Sequence, residues 1–254
     1  MARLEICVDS YESAVNAISG GANQLEVCGA LTLGGLTPSV GLVRRLRSSF
    51  PQTPLFIMLR PRDGDFLYTT DEVEVMLEDL RAMKTLGVGG FVFGALGRDG
   101  GLEENTCNRL LSAARPLPST LHRVFDLTKD WRTALNQAVK MGFNAILTSG
   151  QADTAVEGSD RLRKICAEAA DRIHIIAGSG VNSKTLPFLM SETGCWWYHG
   201  SASVDIKPEI SRNRIAMGSK DGSVRRLTSK DEVSAMKQQM EAFFGSQPLP
   251  KRYY

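Results

Sequence analysis

Two short stretches near the start of the chain, RLEICVD at residues 3–9 and NQLEVC at residues 23–28, decide how the sequence folds. Successive side chains of an extended strand point to opposite faces. In the first stretch Leu4, Ile6 and Val8 are apolar, and Glu5, Cys7 and Asp9 interleave with them. In the second, Leu25 and Val27 alternate with Gln24, Glu26 and Cys28. Between them Tyr11, Ala14, Val15 and Ile18 fall at i, i+3, i+4 and i+7, and Gly20-Gly21 ends the run. That spacing predicts a helix between two strands.

The same beat continues along the chain. Strands are predicted at PLFIML from Pro54, GGFVFG from Gly89, PSTLHRVF from Pro118, NAILTS from Asn144, RIHIIA from Arg172 and WWYHGS from Trp196. Val73, Met76, Leu77 and Leu80 repeat the helical spacing behind Thr69 and Glu72, a capping-box pair. Leu162, Ile165, Cys166 and Ala169 repeat it again, and residues 232–244 close the series with a last amphipathic stretch.

Eight strand–helix beats in 254 residues fit a (β/α)8 barrel of the TIM type, typically ~250 residues long. A doubly wound open sheet has the same periodicity and differs in closure. No Pro-, Gly- or Ser-rich linker divides the chain, so residues 1–244 are expected to form one domain, with 245–254 a disordered tail. Residues 207–226 form a long polar connection, which is expected to act as a lid or binding loop.

Composition narrows the function classes. Hydrophobic residues make up 43% and charged residues 23%, the balance of an ordinary soluble domain. Thirty basic against 28 acidic side chains leave +2, too even for a nucleic-acid partner. The basic helix face at Arg44, Arg45 and Arg47 and the pair Arg225-Arg226 are expected to be solvated. Five scattered cysteines, an odd number in a chain of this length, point to a reducing compartment. The start, MARLEICVDS, has no signal-peptide pattern, and no run approaches the ~18 apolar residues of a membrane span. The expected location is cytoplasmic, away from membranes.

If the apolar side chains of the first two strands meet the helices, Glu5, Cys7, Glu26 and Cys28 face the barrel interior, where carboxylates and thiols need partners. Candidates stand at the carboxyl ends of other strands, where this fold places its functional groups. They are Arg60 and Arg62, then His122, Arg123 and Asp126, then Gly178-Ser179-Gly180, and last His199-Gly200-Ser201.

Three readings compete. Two thiolates on neighbouring strands, ~4.8 Å apart, could hold a soft Cu(I) ion. Glu5 and Glu26 oppose thiolate formation there unless an arginine neutralises them. In the second reading Glu5, Glu26, His122 and Asp126 supply acid and base for an enzyme on a small anionic substrate, phosphorylated compounds included. Arg60, Arg62, Gly178, Gly180 and Ser201 would then bind the anion. In the third, these groups are an internal ion-pair network and the cysteines are buried fillers. Cys107, Cys166 and Cys195 are read as core, and His174 as structural. No zinc-ligand spacing, P-loop or dinucleotide fingerprint occurs.

The segments LEICVDS, EVCGALTLGGLTPS, MLRPRDGDFLY, GFVFGAL, HRVFD and ILTSG, in this order, resemble the CutC-type copper homeostasis family from Glu5 to about Gly218. The resemblance implies a TIM-type barrel, sometimes described as partly open, in a cytoplasmic homo-oligomer, dimer or tetramer. It implies copper handling, with Cu(I) held at Cys7 and Cys28. No reaction follows from it. Independently of the resemblance, His199 on the eighth strand adjoins the first once the barrel closes and could reach Glu5 or Cys7, a weaker third ligand candidate. The family's usual GGG run reads Gly178-Ser179-Gly180 here, and a usually basic position after Ala202 is Ser203.

Overall fold

The computed structural model describes residues 2–206 and 225–245. Eight parallel strands run in chain order: β1 (Arg3–Val8), β2 (Gln24–Val27), β3 (Leu55–Met58), β4 (Gly90–Phe93), β5 (Ser119–Leu121), β6 (Ala145–Thr148), β7 (His174–Ala177) and β8 (Trp197–Gly200). They form one closed barrel, in which β8 pairs back onto β1 with Leu4 opposite Tyr198 and Glu5 opposite His199. Closure decides between barrel and open sheet, and it corrects the partly open form implied by the resemblance.

Helices alternate with the strands: α1 (Tyr11–Ser19), α2 (Val40–Ser49), α3 (Thr70–Lys84), α4 (Glu104–Ala114), α5 (Trp131–Met141), α6 (Ser159–Ala169), α7 (Leu186–Glu192) and α8 (Lys230–Gly245). The caps follow the sequence. Thr69 and Glu72 form the capping box of α3, and α1 stops at Gly20. Leu4, Ile6, Val8, Leu25 and Val27 are fully buried and join the helix stripes in one continuous core. The opposite strand faces pack separately, with Cys28 against Phe56, Met58 and Val92, and Ala145 and Leu147 against Ile176 and Trp197. The lumen below the mouth is therefore filled, as in other barrels of this kind.

Two features depart from expectation. The fifth strand ends at Leu121, because His122 caps a 3-10 turn over Arg123–Leu127 and its Nδ1 accepts from the Val124 amide at 3.2 Å. Past β8, β9 (Ser203–Ile206) pairs antiparallel with β10 (Arg225–Thr228). The expected lid at 207–226 lies outside the described residues except for Arg225 and Arg226, and the expected tail lies outside except for Gly245. Among the described residues no helix is long and apolar enough to cross a membrane.

Candidate functional site

The carboxyl ends of the strands open on a cavity of about 610 Å³, bordered by Cys7, Glu26, Arg60, His122 and His199. Register builds its inner wall. Glu5 lies opposite Gln24 and His199, and Cys7 lies opposite Glu26. Side chains from β2, β1 and β8 therefore meet on one patch of the lumen, as the interleaved Glu-x-Cys pattern requires.

The contacts within this patch are specific. His199 Nδ1 lies 2.7 Å from Glu5 Oε1, and Gln24 Nε2 donates to the other Glu5 oxygen. The Cys28 thiol donates to Glu26 Oε1 at 3.2 Å. Cys7 and His199 border the same cavity, and the Cys7 sulfur is among the groups that favour a protonated His199. Glu26 Oε2, 3.8 Å from His199 Nδ1, has no hydrogen-bond partner. Cys7 is 8% exposed at the cavity edge, and Cys28 is fully buried behind it.

Burial and mutual charge set the protonation of the patch. Burial pushes the Glu26 carboxyl up, against the pull of His199. Burial first, and then the Glu26 charge, pushes the Cys28 thiol well above its ordinary range. Burial alone would strip the proton from His199. Cys7, Glu26 and the bond to Glu5 outweigh it, so the imidazole titrates well above the usual histidine range. The patch thus holds protons on Cys28 and His199, each next to a carboxylate able to accept one.

Other expected groups are placed differently. Arg60 borders the cavity, but its guanidinium donates to the carbonyls of Leu33 at 2.8 Å and Gly64 at 2.9 Å and lies 4.7 Å over Phe66. Arg62 turns to Glu72 at 2.5 Å and Asp65 at 3.0 Å, so the two arginines form no joint clamp. Asp126 accepts from the Ser149 and Gln151 amides and from Arg123, knotting the loops after β5 and β6. That makes it a scaffold group. His122 is buried with Nε2 unpartnered, and burial followed by the Arg60 charge pushes its pKa down to about 3. It is neutral at physiological pH, which suits an acceptor or neutral donor and not a cationic acid.

The glycine run is strained in part. Ser179, at φ +77°, occupies the left-handed region that favours glycine, and its hydroxyl donates to the Asp153 carbonyl at 2.7 Å. Gly180 and Ser201 border the cavity, with the Ser201 and Ser203 hydroxyls 2.9 Å apart. A Cβ on Gly178 would meet Leu147 at 2.6 Å, so that glycine serves packing.

Sequence reasoning missed three things. Gln24 orients Glu5, although it stood in the same interleaved set. Lys184 and Arg226 border the cavity, and Arg226 arrives on β10 opposite Asp205, 3.5 Å from its carboxylate. Cys166 and Cys195, read as separate core positions, bring their sulfurs to 3.0 Å. His174 begins β7 and packs edge-on to Trp196 at 5.2 Å, far from the mouth.

A model of the CutC family matches residues 2–204 of the chain. A copper homeostasis protein cutC homolog of Caenorhabditis elegans is 46% identical, covering 92% of this chain and 94% of its own. The Homo sapiens homolog is 41% identical, over 85% and 79% respectively. The CutC crystal structure from Streptococcus agalactiae superposes with a TM-score of 0.75 at 27% identity, covering 79% of this chain and 99% of that one.

Proposed function

The chain belongs to the CutC family, and on that premise we propose that it is a cytoplasmic copper homeostasis protein that binds Cu(I) at the barrel mouth. Cys7 and Cys28 are the thiolate ligands, and His199 is a third donor. The observation that carries this reading is the placement of two thiols on one lumen face of adjacent strands, Cys28 bonded to the Glu26 carboxylate and Cys7 sharing the cavity wall with His199. Diagonal neighbours on a sheet stand roughly 7 Å apart, within reach of two side chains converging on one ion. Soft thiolates are the donors that Cu(I) selects.

Loading then amounts to proton exchange. Cys28 is a thiol in the empty protein, and Glu26 Oε1 stands ready to receive its proton when the ion arrives. His199 can bind only after releasing a proton of its own, so uptake is coupled to proton loss. Five free cysteines suit a reducing compartment. The family resemblance favours a homo-oligomer as the working form.

Anaerobic titration of Cu(I) against a competing chelator tests this. One tight equivalent per chain, lost in the Cys7→Ser/Cys28→Ser variant, is the expected result. Equal binding by both proteins would contradict it.

The cavity supports a second reading, because 610 Å³ exceeds what one ion needs. In that reading a small anionic molecule enters between Lys184, Arg226 and the unpartnered His122 Nε2. Protection of the wild type against thermal unfolding by phosphorylated sugars or small carboxylates, absent in Lys184→Ala/Arg226→Ala, is its test.

A further inference from the structure

Beside the two thiols, the same patch carries a chemically different donor set. Glu5, Glu26 and His199 each offer one ligand atom, and the three atoms lie within 4.8 Å of one another on buried side chains. They stand on three neighbouring strands, a rigid support of the kind that holds a site in register.

Their outer partners leave one oxygen of each carboxylate turned to the same point. Gln24 occupies Glu5 Oε2, and Cys28 occupies Glu26 Oε1. Glu5 Oε1 faces His199 Nδ1 at 2.7 Å, and Glu26 Oε2 faces it at 3.8 Å. Such orientation of ligands by outer hydrogen bonds is a regular feature of metal sites. Glu26 Oε2 adds an independent sign. Its residue is 3% exposed and the atom has no hydrogen-bond partner. A buried acceptor left in this way is destabilising, more so when charged. A cation removes both that cost and the repulsion between the two carboxylates.

Donor chemistry selects the ion. Two carboxylate oxygens and one imidazole nitrogen suit borderline and harder divalent metals, such as Mn²⁺, Fe²⁺ or Zn²⁺, and not soft Cu(I). Three protein ligands leave further coordination positions, and Glu26 and His199 border the cavity where those positions would open.

We propose that Glu5, Glu26 and His199 form a binding site for a divalent first-row metal ion whose open coordination positions face the mouth cavity. The proton between His199 and Glu5 leaves when the ion binds, and water or an oxygen-donor ligand completes the shell. The site shares His199 with the copper reading but does not rest on the thiols, so the two can fail separately.

Co(II) is the probe, added anaerobically to the Cys7→Ser/Cys28→Ser variant and followed by visible ligand-field absorption and by thermal melting. One Co(II) per chain is expected, without a sulfur-to-cobalt charge-transfer band and with a rise in melting temperature as Co(II) increases. Adding Glu26→Gln to this background is expected to weaken binding at least ~10-fold. Gln24→Met keeps all three donors and frees Glu5, and it is expected to weaken binding by about 10-fold as well, which covers a Gln variant that fails to fold. No Co(II) uptake by the thiol-free mouth, a sulfur-ligated spectrum, or binding indifferent to both Glu26→Gln and Gln24→Met would overturn the proposal. Cu(I) binding retained by Cys7→Ser/Cys28→Ser would sink the copper reading and leave this site standing.

Discussion

The barrel holds one pair of cysteines at each end, and the two pairs live in different chemistry. At the carboxyl ends of the strands, Cys7 and Cys28 sit among Glu5, Glu26 and His199 beside a cavity of about 610 Å³. At the amino ends, Cys195 precedes β8 and meets Cys166 of α6 at 3.0 Å, beside a cleft of about 50 Å³. The lower pair has its sulfurs in direct contact. Its bond partner first, and burial next, push the Cys166 thiol well up, and among the described residues no carboxylate contributes to that shift. Sulfur proximity alone therefore does not make a site. What distinguishes the mouth is a proton acceptor against one thiol, an imidazole on the same cavity wall as the other, and room for something to enter.

The largest effect that could break this comparison is on copper. Losing supporting partners of a metal ligand already costs 10–100-fold, so Cys7→Ser/Cys28→Ser is expected to weaken Cu(I) binding by ~100-fold or more. Cys166→Ala/Cys195→Ala is expected to leave the affinity unchanged in the same chelator competition. The opposite ranking would move the site to the other end of the barrel.

A second effect concerns acid. His122 has a pKa of ~6.5 in an unfolded chain and about 3 in the fold. Between those values the unfolded chain binds a proton that the folded chain refuses, so stability falls as pH drops from about 6.5 towards 3. From pH 7 to pH 5 the wild type is expected to lose about 2 kcal/mol more than His122→Gln, measured by denaturant melts. Equal losses would mean that the mouth histidine takes up a proton freely.

Smaller effects sharpen the contrast. Cys195→Ala is expected to cost about 1 kcal/mol through lost core volume, with no change in metal binding. Ser179→Gly relieves a left-handed backbone but gives up a hydrogen bond, so a gain of no more than about 1 kcal/mol in thermal stability is expected.

The sequence made the strands and their inward faces legible because alternation is local: Glu5, Cys7, Glu26 and Cys28 could be placed from their neighbours alone. Closure was not local. The pairing of Glu5 with His199 spans 194 positions; the sequence offered Glu5 or Cys7 as its partner on condition of closure, and the meeting of β8 with β1 selects Glu5. The same limit hid the fates of Arg60 and Arg62. Two residues apart, one turns to loop carbonyls at the mouth and the other to Glu72 on α3. Asp126 looked catalytic by type, yet amides converging from the next loop make it a structural knot. The contact of Cys166 with Cys195 joins a helix to the approach of a strand, and no periodicity marks such a meeting. The β9–β10 pairing was hidden by the shortness of both strands, four residues each.

X-ray absorption at the copper edge of the anaerobic Cu(I)-loaded protein tests the central claim most directly. The account predicts two sulfur scatterers and one nitrogen per copper in the wild type, unchanged in Cys166→Ala/Cys195→Ala. A first shell of nitrogen and oxygen alone, or sulfur scattering that persists in Cys7→Ser/Cys28→Ser, would contradict it.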